Sequence, residues 1–253
     1  MEWTTKTFID KANLFWILSQ IKWRNANKDS EKISSLLAKY GVIRGDILDL
    51  MCGDGRISIF LAKKGYRVTG VDFSPFFIKK ARENARKYNV SSKTFFILGD
   101  ARQVDEIVNK KFDAVIIVWQ SLGYYEPETD KEILSRVGKI VKPMGLLVLY
   151  DLILREKIKD YCSLNLPGHF IFGDFAVRVE MNFIEDESRL RIDWSFYRTV
   201  ENRMLFLGHA EARILIYSLK ELISMLSETG WEVIEYENPY SEKIFYIVAR
   251  AGK

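Results

Sequence analysis

The sequence has few cysteines and no long apolar run. Cys52 and Cys162 are its two cysteines, and they lie too far apart for the C-x-x-C pairs that bind metals or carry redox chemistry. The longest apolar runs, such as residues 114–119 and 146–150, fall well short of the roughly 20 residues that span a bilayer. The opening Met-Glu-Trp is not a basic and then apolar signal peptide. We therefore expect no disulfide framework, no metal site and no membrane span, and we expect the chain to act in the cytoplasm.

An excess of one charge is also missing. The 38 Lys and Arg residues exceed the 34 Asp and Glu residues by only four, and the two signs are interspersed along the chain. This small excess argues against nucleic acid as a partner. What the chain does have is 48% hydrophobic residues in 253, enough to bury a sizeable core in one large domain or two small ones. Its composition leaves the oligomeric state open.

Short β-rich apolar segments alternate with segments of helical period between residues 46 and 151. The second strand candidate is followed by Ser74, which suits a helix N-cap, and by Pro75, which suits the first helical turn. This alternation predicts βαβ units and a parallel sheet. The strand candidates are residues 47–50, 67–71, 94–98, 112–118 and 146–150.

The pattern changes after Asp151. Residues 175–184 and 189–198 alternate apolar and polar side chains and predict an antiparallel hairpin, and residues 204–217 predict one or two further strands. We therefore interpret residues 156–214 as an inserted, β-rich cap. The remaining α/β domain, which we expect to bind a cofactor, would comprise residues 46–155 and 215–253.

The α/β pattern resumes near residue 215. Ser218 and Glu221 form a capping box before an apolar helical face, and Gly230 ends that helix. Residues 231–237 and 243–249 then predict a closing hairpin with Pro239 in its turn.

The pattern of residues 1–45 predicts a helical region in two parts, divided by the polar run 25–29. The first part contains more aromatic side chains than a surface helix needs: Trp3, Phe8, Phe15, Trp16 and Trp23. Such a face either packs on the domain, as most amphipathic helices do, or serves as a lid over a ligand.

A glycine-bearing loop joins the first strand candidate to a helix. Gly53 and Gly55 allow a backbone to approach a ligand closely, although their spacing by itself also nearly fits a dinucleotide-binding loop. Asp49 ends the strand and Asp54 lies inside the loop. These acids would oppose a pyrophosphate and instead suit a ligand with an ammonium and a sulfonium group.

Two more acids follow the next strands. Asp72 comes directly after the second strand candidate, where a carboxylate can accept hydrogen bonds from both ribose hydroxyls. Asp100, after Gly99, can accept a hydrogen bond from an adenine amino group. Asp113 begins a strand instead of ending one, so we expect it to have a structural role.

On these residues the chain resembles the class I S-adenosylmethionine-dependent methyltransferases. Their loop reads D-x-G-C-G-x-G, and here residues 49–55 read D-L-M-C-G-D-G, with Met51 at the first glycine. Residues 70–75, 99–101, 112–115 and 142–145 carry the family's other marks. The resemblance implies S-adenosylmethionine as cofactor and a doubly wound, mostly parallel seven-stranded α/β sheet, here with the antiparallel cap inserted. It implies that the cofactor is bound by Asp49, Met51, Gly53, Gly55, Asp72, Phe73, Asp100, Ala101, Trp119 and Ser121.

The resemblance also places residues 119–125, after the fourth strand, beside the transferable methyl. This segment lacks the (D/N)-P-P-(Y/F) motif of enzymes that methylate exocyclic amino groups of bases, and the chain lacks a Pro-Cys pair for carbon-5 methylation. Both absences argue against a nucleobase substrate. A general base is optional in such a displacement, because alignment and desolvation can supply much of the rate. Candidates are Tyr124 and Tyr125 above all, and then Asp151, His169 and His209.

We therefore expect an enzyme that methylates a small-molecule acceptor beneath the cap. One alternative is an RNA or protein methyltransferase, whose insertion would present a basic stripe; the candidates for it are Arg178, Arg189, Arg191, Arg198, Arg203 and Arg213. A nicotinamide-dependent oxidoreductase is disfavoured by Asp54 and Asp100. A non-catalytic nucleoside-binding module is the remaining alternative.

Overall fold

The structure, a computed structural model, describes residues 3–164, 168–201, 203–238 and 244–252. Its larger sheet has seven strands in the order β10-β11-β5-β4-β1-β2-β3. Strands β1 to β5 run parallel to one another, and β11 is antiparallel to both β5 and β10. The strands are β1 Asp46–Leu50, β2 Arg67–Asp72, β3 Thr94–Leu98, β4 Phe112–Val118, β5 Val141–Leu152, β10 Trp231–Tyr236 and β11 Phe245–Ala251.

Helices cover both faces of this sheet. One face packs against α3 Ala26–Lys39, α4 Arg56–Lys63 and α5 Pro75–Lys87. The other packs against α6 Val104–Ile107, α7 Pro127–Ile140 and α9 Leu219–Glu228. The predicted doubly wound, mostly parallel sheet is therefore confirmed. Asp113 has the structural role expected of it, because its carboxylate accepts hydrogen bonds from the Asp46 N–H at 2.8 Å and from Lys142 at 2.7 Å.

A second, antiparallel sheet has the order β6-β7-β8-β9. It comprises β6 Gly168–Phe172, β7 Phe175–Ile184, β8 Arg189–Val200 and β9 Arg203–Leu215. The hairpin of β7 and β8 and the long β9 agree with the sequence prediction, whereas β6 was not foreseen. Strand β6 is five residues long and lies at the edge of the sheet beside β7, so little local pattern marks it. Between β5 and β6, a short 3₁₀ helix leads into α8 Ile158–Leu164.

The N-terminal region forms α1 Trp3–Thr5, a π-helical turn at Lys6–Asp10, and α2 Ala12–Lys22, followed by α3. The predicted break at residues 25–29 was wrong in position, because α3 already begins at Ala26. Asp29 lies in its first turn and is buried 3.5 Å from the Arg56 guanidinium. Burial of this polar side chain against a partner explains why a polar run does not end the helix. None of the helices in the described ranges is long and apolar enough to cross a membrane.

The remaining predicted boundaries differ by a few residues. Strand β5 extends beyond its apolar run at both ends, where Val141 pairs with Phe112 of β4 and Leu152 pairs with Phe245 of β11. The closing hairpin is present as β10 and β11, while the predicted turn residue Pro239 and the predicted strand start Lys243 lie outside the described residues. The capping box at Ser218 and Glu221 is formed in both directions, and Gly230 adopts a φ of 86° shortly after α9 ends.

This capping box generates a stability prediction. We expect Ser218→Ala to lower the free energy of unfolding by about 1 kcal/mol, because the Glu221 N–H at the start of α9 loses its acceptor. Urea denaturation measures the change. Ser227→Ala, at an exposed position of the same helix, is the matched control and is expected to change stability by less than about 0.5 kcal/mol. Equal losses in the two variants would contradict the assignment.

Candidate active site

The carboxyl edge of the parallel strands contains non-glycine residues in the left-handed region. Met51, Trp119 and Asp151 have φ values of 60°, 62° and 63°, and they stand at or next to the ends of β1, β4 and β5. Each such conformation costs a side-chain-bearing residue about 1 kcal/mol. The left-handed φ also gives a physical reason why the related loops have glycine where this chain has Met51. Backbone strain of this kind concentrates at functional sites, so this edge of the sheet is the candidate active site.

The two glycines of the loop serve different purposes. A Cβ on Gly53 would meet no atom within 4 Å, and its N–H donates to the Asp72 carboxylate at 2.8 Å. A Cβ on Gly55 would instead lie 2.9 Å from the Phe96 ring. Gly53 therefore leaves space above the loop, whereas Gly55 lets α4 begin close to the sheet.

Asp49 and Asp72 are buried carboxyl groups at the ends of neighbouring strands. Ser58 donates to Asp49 at 2.5 Å, and the Ser74 N–H donates to Asp72 at 2.9 Å. Burial raises the pKa of each to about 6. Both therefore carry negative charge near pH 7 at a desolvation cost, which a cationic ligand would offset.

Asp54 does not present a free carboxylate to the site. Its Oδ2 accepts hydrogen bonds from the Ser19 hydroxyl and the Trp23 indole N–H, each at 2.8 Å. Both donors belong to the N-terminal region, so Asp54 fastens α2 to the glycine loop. Burial also raises the pKa of Asp54. From the sequence, the charge of Asp54 was expected to serve the ligand. Nothing in the sequence near Asp54 reveals that its donors come from a distant helix.

Asp100 is also held by a neighbour. It caps the 3₁₀ turn at Ala101–Gln103, and the Arg102 guanidinium donates to its carboxylate at 2.7 Å. That guanidinium in turn stacks 4.8 Å from the centroid of Tyr125. Asp100 follows β3 as expected, but its carboxylate oxygens accept hydrogen bonds from Arg102 in the turn that it caps.

A small cavity of about 80 Å³, here called the edge cavity, lies above the glycine loop. Eight of the ten residues predicted to bind the cofactor line it, together with the two tyrosines preferred as catalytic residues, and Gly55 and Asp100 are absent from its described lining. These lining residues are Asp49, Met51, Gly53, Asp72, Phe73, Ala101, Trp119, Ser121, Tyr124 and Tyr125. Residues that the sequence analysis did not assign to the site include Phe8, Phe15, Ser19, Arg56 and Phe77. The surplus of aromatics before residue 25 was the available signal for the first two.

A second cavity of about 960 Å³, here called the cap cavity, adjoins the first. It lies between the sheet edge, the N-terminal helices and the second sheet, and it shares Phe8, Phe15, Trp119 and Tyr124 with the edge cavity. The second sheet supplies an apolar wall of Val179, Met181, Ile192, Trp194, Ala212 and Ile214. Polar side chains come from the N-terminal region, the sheet edge and the 3₁₀ helix with α8, and they include Lys22, Asn25, Gln120, Asp151, Lys157 and Asp160.

The candidate bases differ in which cavity they line. Burial raises the pKa of Tyr124 well above its usual range, so its phenol stays protonated at neutral pH and can donate a hydrogen bond but cannot act as a general base. Tyr125 lines only the edge cavity, and Asp151 lines the cap cavity. His169 and His209 are on β6 and β9 and are absent from the described lining of both cavities.

Comparison with known proteins adds independent information. Residues 47–145 match the family model described as a methyltransferase domain. The chain is 34% identical over 152 residues to a putative methyltransferase of Bacillus subtilis, covering 57% of this chain and 60% of that protein. It is 32% identical over 172 residues to a glycine/sarcosine N-methyltransferase of Aphanothece halophytica, covering 66% of this chain and 61% of that protein. The matches thus span about three fifths of these relatives' length.

Solved structures show the same fold. An S-adenosylmethionine-bound amino pentose methyltransferase from Micromonospora echinaspora superposes with a TM-score of 0.72 at 15% identity, covering 92% of this chain and 95% of that one. The family model covers the five parallel strands up to the start of the apolar part of β5, including the glycine loop and the acids at the strand ends. Residues 47–145 therefore form a methyltransferase domain, and the chain has the fold of the class I S-adenosylmethionine-dependent methyltransferases.

Proposed function

We propose that this protein transfers the methyl group of S-adenosylmethionine to a small-molecule acceptor bound in the cap cavity. The observation that carries the proposal is the pair of adjoining cavities, which meet at Phe8, Phe15, Trp119 and Tyr124. In this proposal residues 156–214 act as the cap and residues 1–45 as the lid. Residues 46–155 and 215–253 form the cofactor-binding unit.

The edge cavity suits the cofactor in charge and in the open space above Gly53. When bound, S-adenosylmethionine supplies a methyl group on a positively charged sulfonium. The Asp49 and Asp72 carboxylates, each desolvated, provide the matching negative charge, and Gly53 leaves the loop open to close approach. Tyr124 stays protonated, so we assign it a role in orienting the acceptor by donating a hydrogen bond. Aromatic side chains at the junction of the two cavities would limit the access of water to the methyl group, which favours a displacement that moves positive charge.

The size of the cap cavity supports a small acceptor over a macromolecule. Its volume is near the upper end of pockets that hold drug-sized ligands. An amino pentose methyltransferase and a glycine/sarcosine N-methyltransferase are among the proteins this chain resembles, and their names point the same way. Three of the cap arginines are paired, Arg178 with Glu180, Arg189 with Glu126 and Arg191 with Asp193, so a coherent basic stripe for RNA is not favoured.

The raised pKa values generate a prediction for cofactor binding. Protonation of Asp49 and Asp72 as the pH falls through about 6 removes the negative charge that attracts the cofactor. We expect S-adenosylmethionine to bind about tenfold more weakly at pH 5 than at pH 7, with proton release on binding near pH 6. Calorimetry in buffers of different ionisation enthalpy measures both quantities. Equal affinity at the two pH values would contradict the assignment.

The same shifts have a consequence for stability in the absence of ligand. An acid whose folded-state pKa lies above its unfolded value holds more protons in the folded state between about pH 4 and 6. These two groups therefore make the free energy of unfolding rise as the pH falls through that window. In Asp49→Asn this contribution is expected to shrink, which urea denaturation across the same pH range can measure.

The cap wall generates a prediction for the acceptor. Met181→Trp places extra bulk in the cap cavity, and we expect it to lower methyl transfer from labelled S-adenosylmethionine to a low-molecular-mass extract fraction by about tenfold or more. Binding of S-adenosylhomocysteine is expected to stay within about twofold. Glu180→Trp is the matched control, since the adjacent residue of β7 is exposed on the opposite face. Labelling of transfer RNA or protein by the intact enzyme would refute a small-molecule acceptor.

The Asp54 contacts generate a prediction for the lid. Because Asp54 joins α2 to the loop, we expect Asp54→Asn to speed hydrogen exchange in residues 12–25 and to speed dissociation of S-adenosylhomocysteine. Trp23→Phe removes one donor and retains an aromatic ring to stack on Tyr88, so a smaller change is expected. In the native protein S-adenosylhomocysteine should slow exchange in this segment. Identical exchange with and without ligand would mean that α2 is only packed.

A further inference from the structure

The cap cavity is apolar along the second sheet and charged at the edge of the first. Lys22, from α2, and Asp151, near the end of β5, face each other there with 3.8 Å between the ammonium nitrogen and the nearest carboxylate oxygen. Both line the cavity, and both keep about a third of their side-chain surface exposed. The pair therefore lies open to the space in which the acceptor of the proposed function would bind.

The surroundings of the Lys22 ammonium are those of a binding site for an organic cation. Its nitrogen lies 4.9 Å from the centroid of the Trp119 ring and close to the Asp151 carboxylate. A carboxylate beside an aromatic face is the combination that holds ammonium groups in proteins. Trp119 lines both cavities, so this place is at their junction. The left-handed backbone of Trp119 and Asp151 holds these two groups in position at a cost in strain.

Lys22 is a weakly held occupant of this place. Its separation from Asp151 exceeds that of a good charge-assisted hydrogen bond. Burial lowers its pKa, so keeping the ammonium charged here is costly. Neighbouring charged side chains form ion pairs of their own: Arg56 lies 3.5 Å from Asp29, and Lys157 lies 3.5 Å from Asp160. Of these three ion pairs, the one between Lys22 and Asp151 has the longest separation.

We propose that Asp151 and the Trp119 ring form the subsite for a protonated amine of the acceptor, which Lys22 occupies when no acceptor is bound. This inference rests on the proposed function and deepens it, since the acceptor class becomes an amphipathic amine. The apolar body lies on the wall formed by β7, β8 and β9, and the amine lies at the sheet edge. Because Lys22 belongs to α2, the arriving amine also releases one contact that holds the lid.

The chemistry at this subsite balances without another reactant. The acceptor ammonium gives one proton to the Asp151 carboxylate and becomes a neutral amine. Its lone pair then forms the N–C bond while the S–C bond of the cofactor breaks with its electron pair going to sulfur. The positive charge passes from sulfur to the methylated nitrogen, where the proton held by Asp151 leaves to solvent and restores the carboxylate opposite that charge. A carboxylate acceptor would be repelled by Asp151 at the same position.

Two probes of matched shape test the subsite by binding alone. Calorimetry with the protein saturated in S-adenosylhomocysteine compares 4-phenylbutylamine with 4-phenylbutyrate. We expect the amine to bind about tenfold more tightly than the carboxylate. Lys22→Met should tighten amine binding by about threefold because the competing ammonium is gone. Asp151→Asn should remove the preference for the amine.

Lys131→Met and Glu228→Gln are the matched controls, since they break an ion pair between α7 and α9 outside the described lining of the cavity. Neither should change the binding of either probe. Equal or tighter binding of the carboxylate, unchanged amine binding in Lys22→Met, or a retained preference in Asp151→Asn would overturn the subsite. The titration with S-adenosylhomocysteine that precedes each experiment tests the proposed function separately, because its failure would leave the cofactor assignment wrong whatever the probes do.

Discussion

The parallel register of β1 with β2 and β4 is the constraint on which the rest of this structure depends. It brings the carboxyl ends of successive strands to one edge, and the strand order reverses between β1 and β4. Open α/β sheets bind ligands in the crevice that this reversal creates. Met51, Trp119 and Asp151 all stand at that edge, although they are far apart along the chain. The parallel pairing of the strands brings all three residues to the same edge of the sheet.

Burial of negative charge is the main energetic feature of this edge. Asp49, Asp54 and Asp72 are all buried, yet each accepts hydrogen bonds from serine hydroxyls, backbone N–H groups or an indole. A buried carboxylate without such partners would be too costly to keep. The partners make the charge tolerable but do not neutralise it. The remaining attraction for a cation explains how a site built of acids can favour a positively charged cofactor.

Direct contacts join the N-terminal helices to the second sheet and to the start of α5. Apolar side chains of α2 pack into the inner face of the second sheet, and Thr7 donates to the Glu211 carbonyl at 2.6 Å. Ser74, at the start of α5, donates to the Phe8 carbonyl at 2.6 Å. The N-terminal helices therefore contact both α5, which begins beside the edge cavity, and the second sheet, which lines the cap cavity. Movement of these helices would couple the opening of the two cavities.

The sequence by itself determined the α/β order, the glycine loop, the strand-end acids and the antiparallel hairpin, because each depends on local periodicity or on a short motif. It could not assign Asp54 or Asp100, whose carboxylates are taken by Ser19 and Arg102. Nor could it reveal β6, which is defined by pairing, or the meeting of Lys22 with Asp151, which come from distant parts of the chain. Only the tertiary structure decides which acids remain available to a ligand, since hydrogen bonds between distant segments leave no periodic signal in the chain.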